Sequence, residues 1–196
     1  MSPRRLKSMT LLAGVLASAL TLLAWTQEWF ALTVTSTGTS VATLSVAGST
    51  AAPDLSALSL AGFALVAALA ISGPVLRLAF GILQTAIGIG IVASGLVAIG
   101  SPVASSASAV TKATGVSGAA SVAKLVTSVS PAAWPWIAVA LGAVTALIGL
   151  FTIFTARRWP GATKRYEPVL LEEGGESASP VSDWDQLSGG GDPTSR

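Results

Sequence analysis

The sequence predicts an all-α membrane protein with four transmembrane helices, a small extracytoplasmic β-hairpin and a disordered cytoplasmic C-terminal tail. Three observations carry this reading. First, of 196 residues only 10% are charged and 52% are hydrophobic, whereas soluble domains carry about 25% charged residues. Second, the apolar residues fall in uncharged runs, Ser8 to Gln27, Leu55 to Leu76, Leu78 to Thr111 and Leu125 to Ala156, each reaching the roughly 20 residues that cross a bilayer as helix. Third, the cations cluster at the flanks of these runs, and the acidic residues Glu167, Glu172, Glu173 and Glu176 follow the last of them.

The layout that follows is a cytoplasmic N-terminus (1–7), a first span (8–26), an extracytoplasmic hairpin (27–54), a second span (55–72), a cytoplasmic turn (73–77), a third span (78–99), an extracytoplasmic loop (100–132), a fourth span (133–156) and a tail (157–196). Arg4, Arg5 and Lys7 before an apolar run resemble a signal peptide, and Ala17-Ser18-Ala19 mimics a cleavage site. Leu20 to Trp25 continue the apolar run past it, so an uncleaved first helix is expected. Trp25 and Trp29 then read as an outer aromatic belt.

From Phe30 to Val46 the period changes to two. Phe30, Leu32 and Val34 alternate with Thr33 and Thr35, and Ala42, Leu44 and Val46 with Thr43 and Ser45, the pattern of strands with one buried face. Ser36-Thr37-Gly38-Thr39 supplies a turn between them. A polar linker with chance alternation is the competing reading. Pro53 and Asp54 suit a helix start, and Ala57, Ala61, Ala64 and Ala68 place a small-residue stripe on the second span.

Ser72-Gly73-Pro74 breaks the helix and allows only a tight helical hairpin. In the third span Ala86, Gly90, Ser94 and Ala98 form one small stripe and Gly81, Thr85 and Gly88 a second, both expected to pack against neighbouring helices. Gln84 is the amide inside a span. An intramembrane polar group is a functional candidate, and a hydrogen bond to a neighbouring helix is the simpler expectation.

The loop after Ser101 predicts two short amphipathic helices, Val103 to Thr114 and Ser117 to Ser130, with Gly115 and Gly118 between them. Trp134-Pro135-Trp136 opens the fourth span with an aromatic anchor. Ala138, Gly142, Thr145, Gly149 and Thr152 line one face of it. The tail is rich in Gly, Ser and Pro, a composition of disorder. Within it Ser182 to Leu187 has the N-cap residue, early carboxylates and Trp184/Leu187 spacing of one helical turn that forms on a partner.

Orientation follows from the cations in short flanks. With both termini inside, Arg4, Arg5, Lys7, Arg77, Arg157, Arg158, Lys164 and Arg165 are cytoplasmic against Lys112 and Lys124 outside. The expected location is therefore the plasma membrane, multi-pass, with both termini cytoplasmic. The lipid bilayer is the first partner. A formal charge of +2 in separate clusters speaks against nucleic acid. The chain has neither Cys nor His, which removes the commonest metal ligands, and the spans carry no acid or base away from their ends, which removes a proton relay. A loop serine activated by Lys112 or Lys124 is the one nucleophilic arrangement left, and no spacing positions it. The expectation is a non-enzyme without cofactors.

Three clusters carry a family resemblance: Arg158-Trp159-Pro160-Gly161 followed by Arg165-Tyr166, Trp134-Pro135-Trp136 at the last span, and Trp184, Asp185 and Leu187 followed by Asp192-Pro193-Thr194. With the four-span layout they resemble the actinobacterial tryptophan biosynthesis-associated membrane proteins over nearly the whole chain. The sequence departs from that pattern at Ala162, where a Met is usual, and at Ser188 to Gly191. The resemblance implies an integral membrane protein linked to tryptophan biosynthesis, with no catalytic residues to carry over. Three functions are then expected in order: an accessory protein whose tail binds a cytoplasmic partner, a small carrier or exporter of an aromatic metabolite, for which a homo-oligomer would give room, and a sensor with an extracytoplasmic cap.

Overall fold

The computed structural model describes residues 3–35 and 41–155. Helix α1 (Pro3–Thr26) is followed by strands β1 (Glu28–Thr35) and β2 (Val41–Ala47) and by a single turn, α2 (Gly48–Ala51). Helix α3 (Asp54–Ile71) and helix α4 (Pro74–Gly100) are separated by Ser72 and Gly73 alone. Then come α5 (Pro102–Ser105), α6 (Ala107–Thr114), α7 (Ala119–Leu125), strand β3 (Val126–Pro131) and α8 (Trp134–Thr155). Four of these helices, α1, α3, α4 and α8, are long and apolar enough to cross a membrane. At 27 residues α4 is about 40 Å long, roughly 10 Å more than the hydrocarbon core, so its ends reach headgroup depth.

The four helices form two pairs, α4 with α8 and α1 with α3, set closely against each other: α1 lies on α8 almost as extensively as on α3, and α3 also packs on α4. Lipid tails are as apolar as leucine, so helix contact in a bilayer relies on close van der Waals fit between small residues. On α4, Gly81, Gly88 and Gly95 recur every seven residues against α8, and Gly142 and Gly149 answer from α8. A Cβ at Gly88 would run into the Ala146 backbone, and one at Gly149 into Thr85. In the other pair Gly14 takes Val66 and Gly62 takes Ser18. The Lys7 Nζ donates to the Ala70 carbonyl at 2.7 Å, closing the end of α3.

Each pair is bridged at one end by its own connection, β1 and β2 for α1 and α3, and α5 to β3 for α4 and α8. The two connections share one antiparallel sheet in the order β2-β1-β3. Phe30 stands opposite Val46 and Pro131, and Leu32 opposite Leu44 and Val129. Phe30, Leu32 and Val34 point inward and are buried. They join Val110 of α6 and Val122 of α7 in a core that also takes Ala24, Leu55, Ala98 and Ala138, one residue from each long helix. Trp29 lies in this core, fully buried, with its Nε1 donating to the Ala24 carbonyl at 2.8 Å and its ring edge-on to Phe30 at 6.4 Å. Gly48 is where a side chain would strike that indole.

Several expectations change here. The two expected strands pair antiparallel as β1 and β2, and a third strand, β3, widens them into a sheet on an otherwise helical chain. The third strand occupies the second half of the helix expected over Ser117 to Ser130, because Val126 and Val129 fill the inner face beside β1 while Thr127 and Ser128 bond to Thr33 at 3.0 and 2.8 Å. The predicted hairpin turn falls on residues outside the described ones. Trp29 is a core residue and not part of an aromatic belt. The alanine stripe of α3 does not pack on a helix: Ala57, Ala61 and Ala64 are exposed, and Leu55, Ser59, Gly62, Leu65 and Leu69 face inward. Arg77 belongs to the first turn of α4 and is buried.

Candidate functional site

The first candidate site lies within the helices. Buried positions on α4 are Arg77, Gly81, Gln84, Ile87, Gly88, Ile91, Gly95 and Ala98, which apart from Ile87 step alternately by fours and threes. The glycines meet α8. Gln84 and Ile91 lie two turns apart on one line, and Ile91 touches both Gly142 of α8 and the cluster around Leu65 of α3. Gln84 therefore projects between the two helix pairs, near the middle of α4.

Its side chain is 0% exposed, and neither Oε1 nor Nε2 has a hydrogen-bond partner among the described residues. The expected hydrogen bond to a neighbouring helix is absent there. Buried hydroxyls on the other long helices spend their protons at home: Thr21, Thr145 and Thr152 each donate to their own i−4 carbonyl at 2.8 Å, and Ser59 does so at 2.7 Å. Such back-bonding satisfies a hydroxyl in lipid and leaves only its lone pairs outward. An unmatched buried amide costs about 1–3 kcal/mol.

Charges mark the two ends of the bundle. Where α3 turns into α4, Lys7 and the buried Arg77 lie close enough for their charges to repel. At the sheet end, Asp54 in the first turn of α3 accepts a hydrogen bond from the Ser94 hydroxyl at 2.7 Å, which ties the two pairs together.

The second candidate site lies where sheet meets helices. Phe30, Val129 and Pro131 from the strands, Ile99 and Pro102 from the α4–α5 junction, and Pro135 and Trp136 from α8 enclose a cavity of about 310 Å³. A second, more open cleft of about 480 Å³ runs between α5, α6 and α7 past Ala107, Thr111, Ala119 and Val122. Gly115 and Gly118, at φ 72° and 101°, make the turn that sets α6 and α7 apart.

Of the residues singled out in the sequence, Gln84 lies in the first site and Trp136 in the second. Lys112 and Lys124 are exposed and lack the desolvation that a base for a serine needs. Arg158, Trp159, Pro160, Gly161, Arg165, Tyr166, Trp184, Asp185, Leu187, Asp192, Pro193 and Thr194 lie outside the described residues. Sequence reasoning missed the junction cavity, whose only linear sign is three prolines at element ends. A family model described as tryptophan-associated transmembrane protein matches residues 11–194. No curated protein and no solved structure matches the chain.

Proposed function

Since the chain belongs to the tryptophan-associated transmembrane protein family, we propose that it is a non-catalytic accessory protein of the plasma membrane. In this reading the bundle is a rigid pedestal that holds the folded cap outside the cytoplasm. The tail, with Trp184, Asp185, Leu187 and Asp192-Pro193-Thr194, engages a cytoplasmic protein of tryptophan metabolism. The observation that supports it is the single core that takes one residue from each long helix together with Trp29 and the strands. Elements that share a close-packed core move together. The cation count at the flanks supports the orientation.

The test is growth of a deletion strain with and without tryptophan, complemented by the full chain or by one lacking residues 184–194. Rescue by the first and failure of the second, with loss of a co-purifying protein, is expected. Equal rescue and equal co-purification would remove the tail from the function.

Gln84 favours a second reading, a small carrier of an aromatic metabolite, because a polar group kept at a cost inside a bundle is the kind of contact a passing solute uses. Flux of labelled tryptophan or indole into vesicles containing the purified protein separates the two. The pedestal reading expects no change in flux over protein-free vesicles.

A further inference from the structure

We propose that the cavity between sheet and bundle is a binding site for a flat, uncharged, bicyclic aromatic ring, a ligand of the indole type. The walls make the selection. Phe30 and Trp136 bring aromatic faces and Pro102, Pro131 and Pro135 bring flat aliphatic rings, surfaces against which a planar ring keeps contact on both sides. No lining side chain is charged, and their one polar group is the indole N–H of Trp136, so a zwitterion or carboxylate entering would lose most of its hydration without replacement.

Size narrows the ligand. A volume of about 310 Å³ lies at the bottom of the roughly 300–1,000 Å³ range of small-molecule sites.

Access is from the membrane boundary. Trp136 is 56% exposed although it begins a span, the depth at which aromatic side chains line the interface and at which an apolar ring dissolved in lipid would arrive. Phe30 at the back of the cavity is 2% exposed and fixed against Trp29. Such a site presupposes the rigid pedestal, since strands and helix ends must hold their spacing to keep the cavity open.

Titration of the full-length protein in lipid nanodiscs with indole, followed by saturation-transfer NMR, tests the site. Benzofuran, the same ring with oxygen in place of N–H, and L-tryptophan serve as comparators. Expected is saturable binding of indole and of benzofuran, weaker binding of L-tryptophan, and at least a tenfold loss in Val129→Trp, which fills the cavity. Ile99→Phe fills it from the helix side and replaces that variant if it does not fold. Equal, non-saturating uptake by wild type and the filled variant would mean partition into lipid and overturn the site. Failure of benzofuran to bind saturably would overturn recognition of the flat apolar ring, and tighter binding of L-tryptophan the preference for an uncharged ring. A filled variant that loses indole binding yet rescues the deletion strain leaves the accessory role standing, so failure of one idea is distinguishable from failure of the other.

Discussion

The cap and the bundle are held together by opposite means. In the cap, large side chains, Trp29, Phe30, Leu32 and Leu55, are fully buried around a sheet whose other face carries Thr33, Thr43, Ser45 and Ser128. In the bundle the contacts are made by Gly81, Gly88, Gly95, Gly142 and Gly149, while Leu12, Leu16, Leu83 and Leu147 point outward. One chain thus obeys two solvents. Large apolar groups gather in the cap, whereas lipid offers no hydrophobic drive between spans, so the helices hold by backbone approach.

The largest effect should come from the cap. Trp29→Ala removes the widest buried side chain and its bond to Ala24. The expected loss is about 3–5 kcal/mol, read as a collapse of the near-ultraviolet signal while far-ultraviolet helicity persists. Retention of the near-ultraviolet signal would break the contrast between the two regions.

The bundle should fail by the reverse change, from small to large. Gly88→Leu forces α4 off α8, with an expected loss of about 1–3 kcal/mol or more in reversible unfolding by sodium dodecyl sulfate. Gly100→Leu, where a side chain meets open space, is the control and should be silent. If the two behave alike, close backbone contact does not hold the pair.

Gln84→Leu should act in the opposite direction. Replacing an unmatched amide by a group of similar size removes the penalty of about 1–3 kcal/mol, so the variant should resist detergent unfolding better than wild type. Destabilisation would mean that the amide has a partner in the folded protein. The smallest change is expected of Ser94→Ala, which loses the hydroxyl bonded to Asp54. That bond is worth about 0.5–1.5 kcal/mol, and the loss should appear in the same unfolding assay.

The same contrast explains what the sequence disclosed. Four candidate spans were legible because a bilayer demands about 20 apolar residues in a row, and so were the small face of α8 and the Gly81, Thr85 and Gly88 row of α4, whereas Ala86 of the second α4 stripe is exposed and Gly95 was passed over. The alanine stripe of α3 misled because smoothness alone does not say which neighbour uses it. Strand β3 was hidden, since Val126 and Val129 are three apart across a register shift and so break the period of two. Trp29 was hidden because a tryptophan beside a span reads as an interface anchor. Only the third dimension shows the sheet folding back over it. Gln84 was legible as a position, and its lack of a partner was not, since hydrogen bonds between helices depend on rotation about their axes.

The claim that cap and bundle share one core is tested most directly by residue-resolved hydrogen exchange on the full-length protein in nanodiscs, comparing wild type with Trp29→Ala. The account predicts that protection falls together in β1, β2, β3, α6 and α7, and at the sheet-side ends of the long helices. Loss of protection confined to β1, with the other elements unchanged, would contradict it.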